Sequence, residues 1–251
     1  MEKLHSEWED CDNEEKGKSI LAHLKSLSNS EMKIVLTKKF RNKKNYFHFV
    51  VQSNHVEIAK VLIANGANVD DSLPETDFKL LDPVYETYDL FEFVCHCDFT
   101  EMICLFLKHG ANLSIRHLSK IIEHNNIAVV QFIARNRNFQ NMNGINFFPT
   151  MLWLATDIRK PEIVKTMFCH VNVNSNIDLK EFVPIFGSAL YKGKEVVKVL
   201  LDYGPSLSSR DVEGYTGIEY GLADRGFIVR TRKYSIRTLK LMIYKESIEK
   251  D

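Results

Sequence analysis

Apolar residues between positions 45 and 70 recur at the spacing of two short amphipathic helices. Gly66 follows the second run, and glycine adopts a positive φ at little conformational cost, so it is typical of a helix end. The pattern therefore predicts a helix, a turn and a second helix. The positions that mark the two helices are Phe47, Val50 and Val51, then Ile58, Val61 and Leu62.

This unit recurs along the chain. Residues 57–58 (Glu-Ile) and 66–68 (Gly-Ala-Asn) match residues 101–102 and 110–112, and residues 195–196 match the first pair again. Successive steps are about 44, 27, 34, 33 and 33 residues, and most of them equal the period of helical repeat families. The remaining copies lie near Asn125, at Pro161 and at Asp211.

On these residues the chain resembles the ankyrin repeat family, whose unit is a β-turn followed by two antiparallel helices. The Thr-Pro-Leu-His start of that pattern falls on residues 45–48, with His48 at the histidine, and its Gly-His pair falls on Asn54-His55. A tetratricopeptide array has a similar period but lacks the Gly-Ala-Asn after the second helix. The resemblance implies an all-α ankyrin-repeat solenoid of about six or seven helix-turn-helix units, with short hairpin fingers and a C-terminal capping helix.

The predicted organisation has three parts. Residues 1–17 form an acidic tail that we expect to be disordered, residues 18–224 form the repeat stack, and residues 225–251 form a basic cap helix. Terminal repeats must cover the apolar face of the stack, so atypical ends are expected. The predicted units lie near 18–44, 45–70, 90–114, 117–137, 150–174, 183–207 and 211–224.

Composition narrows the class of protein. Of the 251 residues, 45% are hydrophobic and 26% are charged, as in globular proteins. The 33 basic residues balance the 33 acidic ones, which argues against nucleic-acid binding by the whole molecule. No apolar run is long enough to span a membrane, and the acidic N-terminus is unlike a targeting segment. We expect a monomer in the cytoplasm, the nucleus or both, with its cysteines reduced.

Motifs of catalysis are missing from the sequence. It has no Gly-x-Ser-x-Gly elbow, Walker loop, Gly-x-Gly-x-x-Gly or His-Glu-x-x-His motif. The nearest approach to a metal site is Cys95-His96-Cys97 with Cys104, but zinc sites need two close ligand pairs. Cys95 and Cys104 are expected instead to face the core as buried thiols. The sequence therefore predicts no enzymatic activity, no cofactor and no metal.

Three histidines take a structural role by the family resemblance. It makes His48 a buried imidazole that hydrogen-bonds the backbone between neighbouring units. The same role is expected for His55 and His124. Buried polar rings need such partners, since an unsatisfied polar group in a low-dielectric interior is unfavourable.

Charge is arranged in blocks. Residues 1–15, 32–44, 70–89 and 225–245 carry net charges of −6, +6, −6 and +7. The basic run at 38–44 is of nuclear-localisation type, and its alternative interpretation is a solvated surface. The helix at 225–245 has few aromatic residues for base stacking, so we do not expect nucleic-acid binding. The residues of the nuclear-localisation cluster are Lys38, Lys39, Arg41, Lys43 and Lys44.

The long step at residues 70–89 mixes acidic residues with Phe78, Tyr85 and Tyr88. Insertions in repeat proteins map to loops on one face, and aromatic anchors beside charges suit a protein contact. The alternative is that these aromatics fold back as an extra capping turn. Candidate protein-binding residues on this and the later fingers are Asn68, Asp71, Asp77, Tyr85, Asn112, Arg116, Asn172, Asn174, Arg210, Asp211 and Glu213.

The predicted function is protein binding, because a solenoid presents an extended concave surface rather than a central pocket. We expect an adaptor or inhibitor that binds its partner through the concave face and fingers. The resemblance extends to IκB-like inhibitors and to host-directed ankyrin effectors. The alternatives are a structural scaffold or assembly subunit, and binding of nucleic acid or an acidic surface by the basic C-terminal helix. Steep salt dependence would distinguish nucleic-acid binding.

Overall fold

The computed structural model of the chain describes residues 14–40, 43–74, 89–136, 141–142, 145–170, 194–203, 210 and 214. Eleven α-helices lie in these residues, so the predicted all-α fold is confirmed. Of the predicted disordered tail at residues 1–17, residues 1–13 lie outside them, whereas residues 14–17 belong to the first helix. The predicted cap helix at 225–251 also lies outside the described residues. The helices are α1 (Glu14–Ser26), α2 (Asn29–Thr37), α3 (Tyr46–Gln52), α4 (Val56–Ala64), α5 (Leu90–His96), α6 (Thr100–Lys108), α7 (Ile115–Glu123), α8 (Ile127–Arg135), α9 (Phe147–Asp157), α10 (Pro161–His170) and α11 (Lys194–Tyr203).

A small hairpin precedes α9. Its two strands, β1 (Asn141–Met142) and β2 (Ile145–Asn146), pair antiparallel and contain two residues each. Among the described residues, no helix has the length and apolarity needed to cross a membrane.

Side-chain caps fix where the early helices begin. The Ser28 hydroxyl accepts a hydrogen bond from the Glu31 backbone N–H, and the Glu31 carboxylate accepts one from the Ser28 N–H at 2.9 Å. Asn45 and His48 form the equivalent pair at the start of α3. Such reciprocal caps satisfy N–H groups that have no partner inside the helix.

The turns inside the repeats share one backbone conformation. A non-glycine residue with positive φ lies between α3 and α4, α5 and α6, α7 and α8, and α9 and α10. The next residue donates its N–H to the carbonyl five residues back, at 2.8–3.2 Å, which is a Schellman-type helix ending. The four residues are separated by the same steps as the sequence repeat, and they are Asn54, Asp98, Asn125 and Arg159.

Glycine ends the second helix of two repeats. Gly66 and Gly110 have φ values of +97° and +84°. The following N–H groups, those of Ala67 and Ala111, each donate to a carbonyl five residues back at 3.0 Å. The predicted role of Gly66 as a helix-terminating residue is therefore confirmed.

The two ends of the long sequence step at residues 70–89 lie next to each other. Ser72 and Asp89 form an isolated antiparallel bridge. The Leu90 N–H donates to the Asp71 carbonyl at 2.9 Å, directly beside that bridge. We call this pair of contacts the neck. The residues before and after the insertion are thereby fixed together, at the start of α5.

The chain divides into two compact units, residues 1–120 and 121–251, and the division falls within α7. In the first unit α3 packs against α4 and α5, α6 packs against α4 and α5, and α1 packs against α4. Phe106 lies at the centre of this core, with its ring centroid 5.9 Å from those of both Phe47 and Phe91. All three rings are fully buried, so they join the neighbouring repeats.

The second unit is built around α10. Helices α8, α9 and α11 all pack against it. Phe148 and Phe168 contact edge to face, with centroids 6.4 Å apart. Its buried apolar residues include Val129, Val130, Ile133, Met151, Leu152, Ile163, Val164, Met167, Val197 and Leu200.

Replacing Arg159 with glycine should stabilise the protein. Its φ of 62° is left-handed, and its side chain is exposed, so the substitution relieves strain without removing a core contact. The strain of about 1–2 kcal/mol exceeds the entropic penalty of glycine, about 0.5–1 kcal/mol. We expect Arg159→Gly to raise the free energy of unfolding by roughly 0.5–1 kcal/mol in urea titrations. Asn54→Gly is the matched control and should change it less, because asparagine tolerates this conformation. A loss of stability in Arg159→Gly would refute the assignment of strain.

Candidate functional site

Neighbouring fingers of the first unit are held in register by hydrogen bonds. Asp70 Oδ1 accepts a hydrogen bond from the Asn112 backbone N–H at 2.9 Å, 42 residues away in sequence. Asn68 Oδ1 accepts one from the Asp70 N–H at 3.1 Å. The tips of the two fingers therefore keep a defined spacing.

His48 connects its repeat to the next finger. Its side chain is 2% exposed, and its Nε2 lies 3.0 Å from the Ser72 carbonyl oxygen. The Asn45 backbone N–H donates to its Nδ1 at 3.2 Å, and the Asn45 side-chain NH₂ donates to Asp71 Oδ2 at 3.1 Å. The imidazole thus satisfies the backbone of two consecutive repeats.

A cluster of titratable side chains lies where α5 and α7 begin. Asp89 Oδ1 accepts a hydrogen bond from the Glu92 backbone N–H at 2.6 Å, and His117 Nε2 lies 3.4 Å from the same oxygen. Glu92 and His117 are 4% and 3% exposed. One ligand atom from each of the three residues lies within 4.8 Å of the other two, so this group could hold a metal ion.

The two carboxyl groups of this cluster differ electrostatically. Burial acts to raise the pKa of Asp89, but the His117 imidazole and the backbone N–H groups at the start of α5 outweigh it and lower that pKa. Burial, followed by the negative charge of Asp89, raises the pKa of Glu92. Asp89 is therefore the stable anion, and Glu92 is the group for which ionisation is unfavourable.

Large apolar side chains are exposed beside the fingers and on the first helices. Ile115 is 50% exposed and precedes the exposed Arg116 at the start of α7. In the second unit Trp153 on α9 is 49% exposed. Isoleucine and tryptophan in such positions are available for contact with another molecule.

Comparison with known proteins identifies the repeat. A family model of the ankyrin repeat matches residues 45–72. The structure is similar to the crystal structure of the human ASB11 ankyrin repeat domain, with a TM-score of 0.51 and 17% sequence identity, over 90% of this chain and 94% of that chain. This chain has the ankyrin-repeat fold. A comparison with curated proteins found no match. Ankyrin repeats generally act as protein-protein interaction modules and are typically non-enzymatic scaffolds.

The ankyrin fold gives the predicted binding residues different surroundings. Asn68, Asn112, Arg116 and Arg210 are exposed. Asp71 is half-buried, and its carboxylate is engaged by Asn45 within the first unit. Whether these residues bind a partner stays a prediction. The candidates outside the described residues are Asp77, Tyr85, Asn172, Asn174, Asp211 and Glu213.

The predicted nuclear-localisation cluster is not uniformly exposed. Lys39 and Lys43 are exposed and Lys38 is half-buried, whereas Arg41 lies outside the described residues. Lys44 Nζ donates to Gln52 Oε1 at 2.9 Å and lies 5.3 Å from the Phe49 ring centroid. Its ammonium group therefore takes part in packing against α3.

The structural histidines and cysteines were predicted with mixed success. The prediction for His48 is confirmed, but His124 is exposed, so its predicted buried role is wrong. The side chain of His55 is half-buried, and its Nε2 forms no hydrogen bond with the described residues. Cys95 is fully buried as predicted, whereas Cys104 is only half-buried. Burial raises the pKa of both thiols, which disfavours the thiolate that metal binding requires.

Removing the His48 imidazole should weaken the first unit. His48→Leu fills a similar volume but leaves the Ser72 carbonyl and the Asn45 cap without their partner. We expect a loss of about 1–3 kcal/mol in the free energy of unfolding. The control is His109→Leu, at an exposed position, which should change stability by less than about 0.5 kcal/mol. Equal effects of the two substitutions in urea unfolding would contradict the linking role of His48.

Proposed function

We propose that this chain binds a protein partner, as an adaptor or an inhibitor, through the finger surface of its first unit. The finger surface is defined here as Asn68, Asn112, Ile115 and Arg116. The proposal is carried by the exposure of Ile115, 50% in solvent, beside exposed Arg116 on a finger whose position is fixed. An exposed apolar anchor next to arginine is typical of interface centres.

Preorganisation supports this assignment. The Asp70 to Asn112 hydrogen bond holds two finger tips at one spacing before any partner arrives. Ordering of loops on association lowers affinity, so a surface that is already ordered loses less conformational entropy when it binds. The finger surface therefore suits a partner with a rigid complementary face.

The second unit offers a separate contact. Trp153 on α9 is 49% exposed, although the equivalent first-helix residue of an earlier repeat, His48, is buried. Tryptophan is among the residues most enriched at energetically dominant interface positions. Trp153 is therefore a second candidate contact residue, within the second unit. The bound partner would be blocked, as in IκB-like inhibition or by a host-directed effector, or passed on to another protein.

A matched pair of isoleucines tests the proposal. Ile34 on α2 and Ile115 on α7 are both 50% exposed, and only Ile115 belongs to the finger surface. The immobilised full chain is used to capture the partner from source lysate, and the partner is then purified for affinity measurements by calorimetry. We expect Ile115→Ser to weaken binding by about 10-fold or more, and Ile34→Ser by less than about twofold.

Two controls make this result decisive. Both variants should unfold at the same urea concentration as the wild-type chain, within error, because neither residue is in the core. Equal binding by Ile115→Ser and the wild-type chain would refute the finger surface as the contact. Retention of no protein would refute the protein-binding function itself.

A further inference from the structure

The cluster of Asp89, Glu92 and His117 has no part in the finger contacts described above. Its residues lie at positions that have equivalents in the neighbouring repeats. Asn45, Asp89 and Ser114 each precede a first helix, and each side chain accepts a hydrogen bond from the backbone N–H three residues later. Those later residues are His48, Glu92 and His117, so Glu92 replaces the histidine found in the repeats on either side.

Glu92 carries a buried carboxyl group, and its residue is 4% exposed. The negative charge of Asp89 opposes ionisation of this group, whereas the positive charges of His117, Arg116 and Lys120 favour it. Burial of a carboxylate is unfavourable by on the order of several kcal/mol unless positive groups offset it. A cation bound between Asp89, Glu92 and His117 would add such a positive group at short range.

The spacing of the three groups suits a small cation. His117 Nε2 and Asp89 Oδ1 are 3.4 Å apart, and one ligand atom from each of the three side chains lies within 4.8 Å of the other two. Two ligands of a tetrahedral zinc ion, each at about 2.0–2.1 Å, are separated by roughly 3.3 Å. His117 Nε2 and Asp89 Oδ1 are therefore already separated by about the distance that two zinc ligands require. A rotation of the Glu92 side chain would bring its carboxylate in as the third ligand.

His117 differs from His48 in what its Nε2 faces. The Nε2 of His48 lies 3.0 Å from the Ser72 carbonyl and must carry a proton to bond with it. The Nε2 of His117 instead lies 3.4 Å from the Asp89 carboxylate. Its Nδ1 lies 3.0 Å from both the N–H and the hydroxyl of Ser114. When Nε2 binds a metal ion, the proton of the neutral imidazole is on Nδ1. The hydrogen bond that Nδ1 accepts from the Ser114 N–H is then lost, and Nδ1–H donates to the Ser114 hydroxyl instead. Contacts of this kind orient metal-bound histidines.

We propose that Asp89, Glu92 and His117 bind a divalent transition-metal ion, best matched by zinc, between the first helices of two neighbouring repeats. The two carboxylates balance the charge of the ion, and the neutral imidazole is the third ligand. The fourth coordination position is left for water or a partner's side chain. The ion would join α5 to α7 and would stabilise the folded chain, since the unfolded chain has no assembled site.

Zinc titration of the chelator-treated full chain tests this proposal. Calorimetry should show one strong site, and saturating zinc should raise the midpoint temperature of unfolding by about 4 °C or more. Co²⁺ in place of zinc should give the visible absorption of tetrahedral coordination. Calcium and magnesium at the same concentration should have no comparable effect, because histidine is not a ligand that they prefer.

Two substitutions separate the metal site from a merely structural cluster. Glu92→Gln removes the charge and keeps the shape, so it should weaken zinc binding by about 100-fold while leaving the metal-free chain folded. Asp89→Asn keeps a good helix cap and should also weaken zinc binding by at least about 10-fold. The control is Cys97→Ser with Cys104→Ser, which should bind zinc as the wild-type chain does.

Three results would overturn the proposal. The first is that zinc leaves the midpoint temperature and the calorimetric signal of the wild-type chain unchanged. The second is that Glu92→Gln and Asp89→Asn both bind zinc with wild-type affinity. The third is that the cysteine variant loses zinc binding, which would place the ion at the thiols.

Discussion

The left-handed residue that recurs in four of the helix-helix turns is the constraint on which the described structure depends. At Asn54, Asp98, Asn125 and Arg159 the chain reverses within a few residues, and the next N–H closes a hydrogen bond five residues back. This bond ends the first helix at a fixed residue and sets the starting direction of the second. Because the same bond recurs, equivalent residues of successive repeats occupy equivalent positions, and short range contacts are enough to propagate the stack.

Equivalence of position does not require equivalence of chemistry. The third residue of the first helix is buried in three consecutive repeats of the first unit, as His48, Glu92 and His117. His48 contacts a backbone carbonyl, whereas one ligand atom of Glu92 lies within 4.8 Å of one of His117. A solenoid can therefore bury different polar groups at one backbone position, provided that each buried group has a hydrogen-bond partner or a charged partner.

Much of the fold could be predicted from the sequence, because it rests on local signals. Apolar spacing located α3 and α4, and Gly66 located the end of α4, since both depend on neighbours within a few residues. The family pattern also placed His48 correctly. The buried role predicted for His124 was wrong, because this residue directly follows α7 and lies in the exposed turn before α8.

The candidate site was less predictable. Asp89, Glu92 and His117 are up to 28 residues apart and form no sequence motif, so only the stacking of repeats brings them together. The sequence analysis did not single out Ile115 or Trp153, because the sequence does not show which apolar residues of a helix stay exposed. Asp71 illustrates a different difficulty. It was predicted as a binding residue on a finger, but its carboxylate accepts a hydrogen bond from the Asn45 side chain.

The neck at Ser72 and Asp89 has an evolutionary consequence. The bridge between these residues, with the Leu90 to Asp71 hydrogen bond beside it, fixes the two ends of the insertion independently of its length. Each doubling of a loop adds only about 0.6 kcal/mol of closure entropy. Codons can thus be gained, lost or exchanged between these positions with little effect on α4 or α5. This point of the array can diverge quickly among descendants of the protein while the helices around it change slowly.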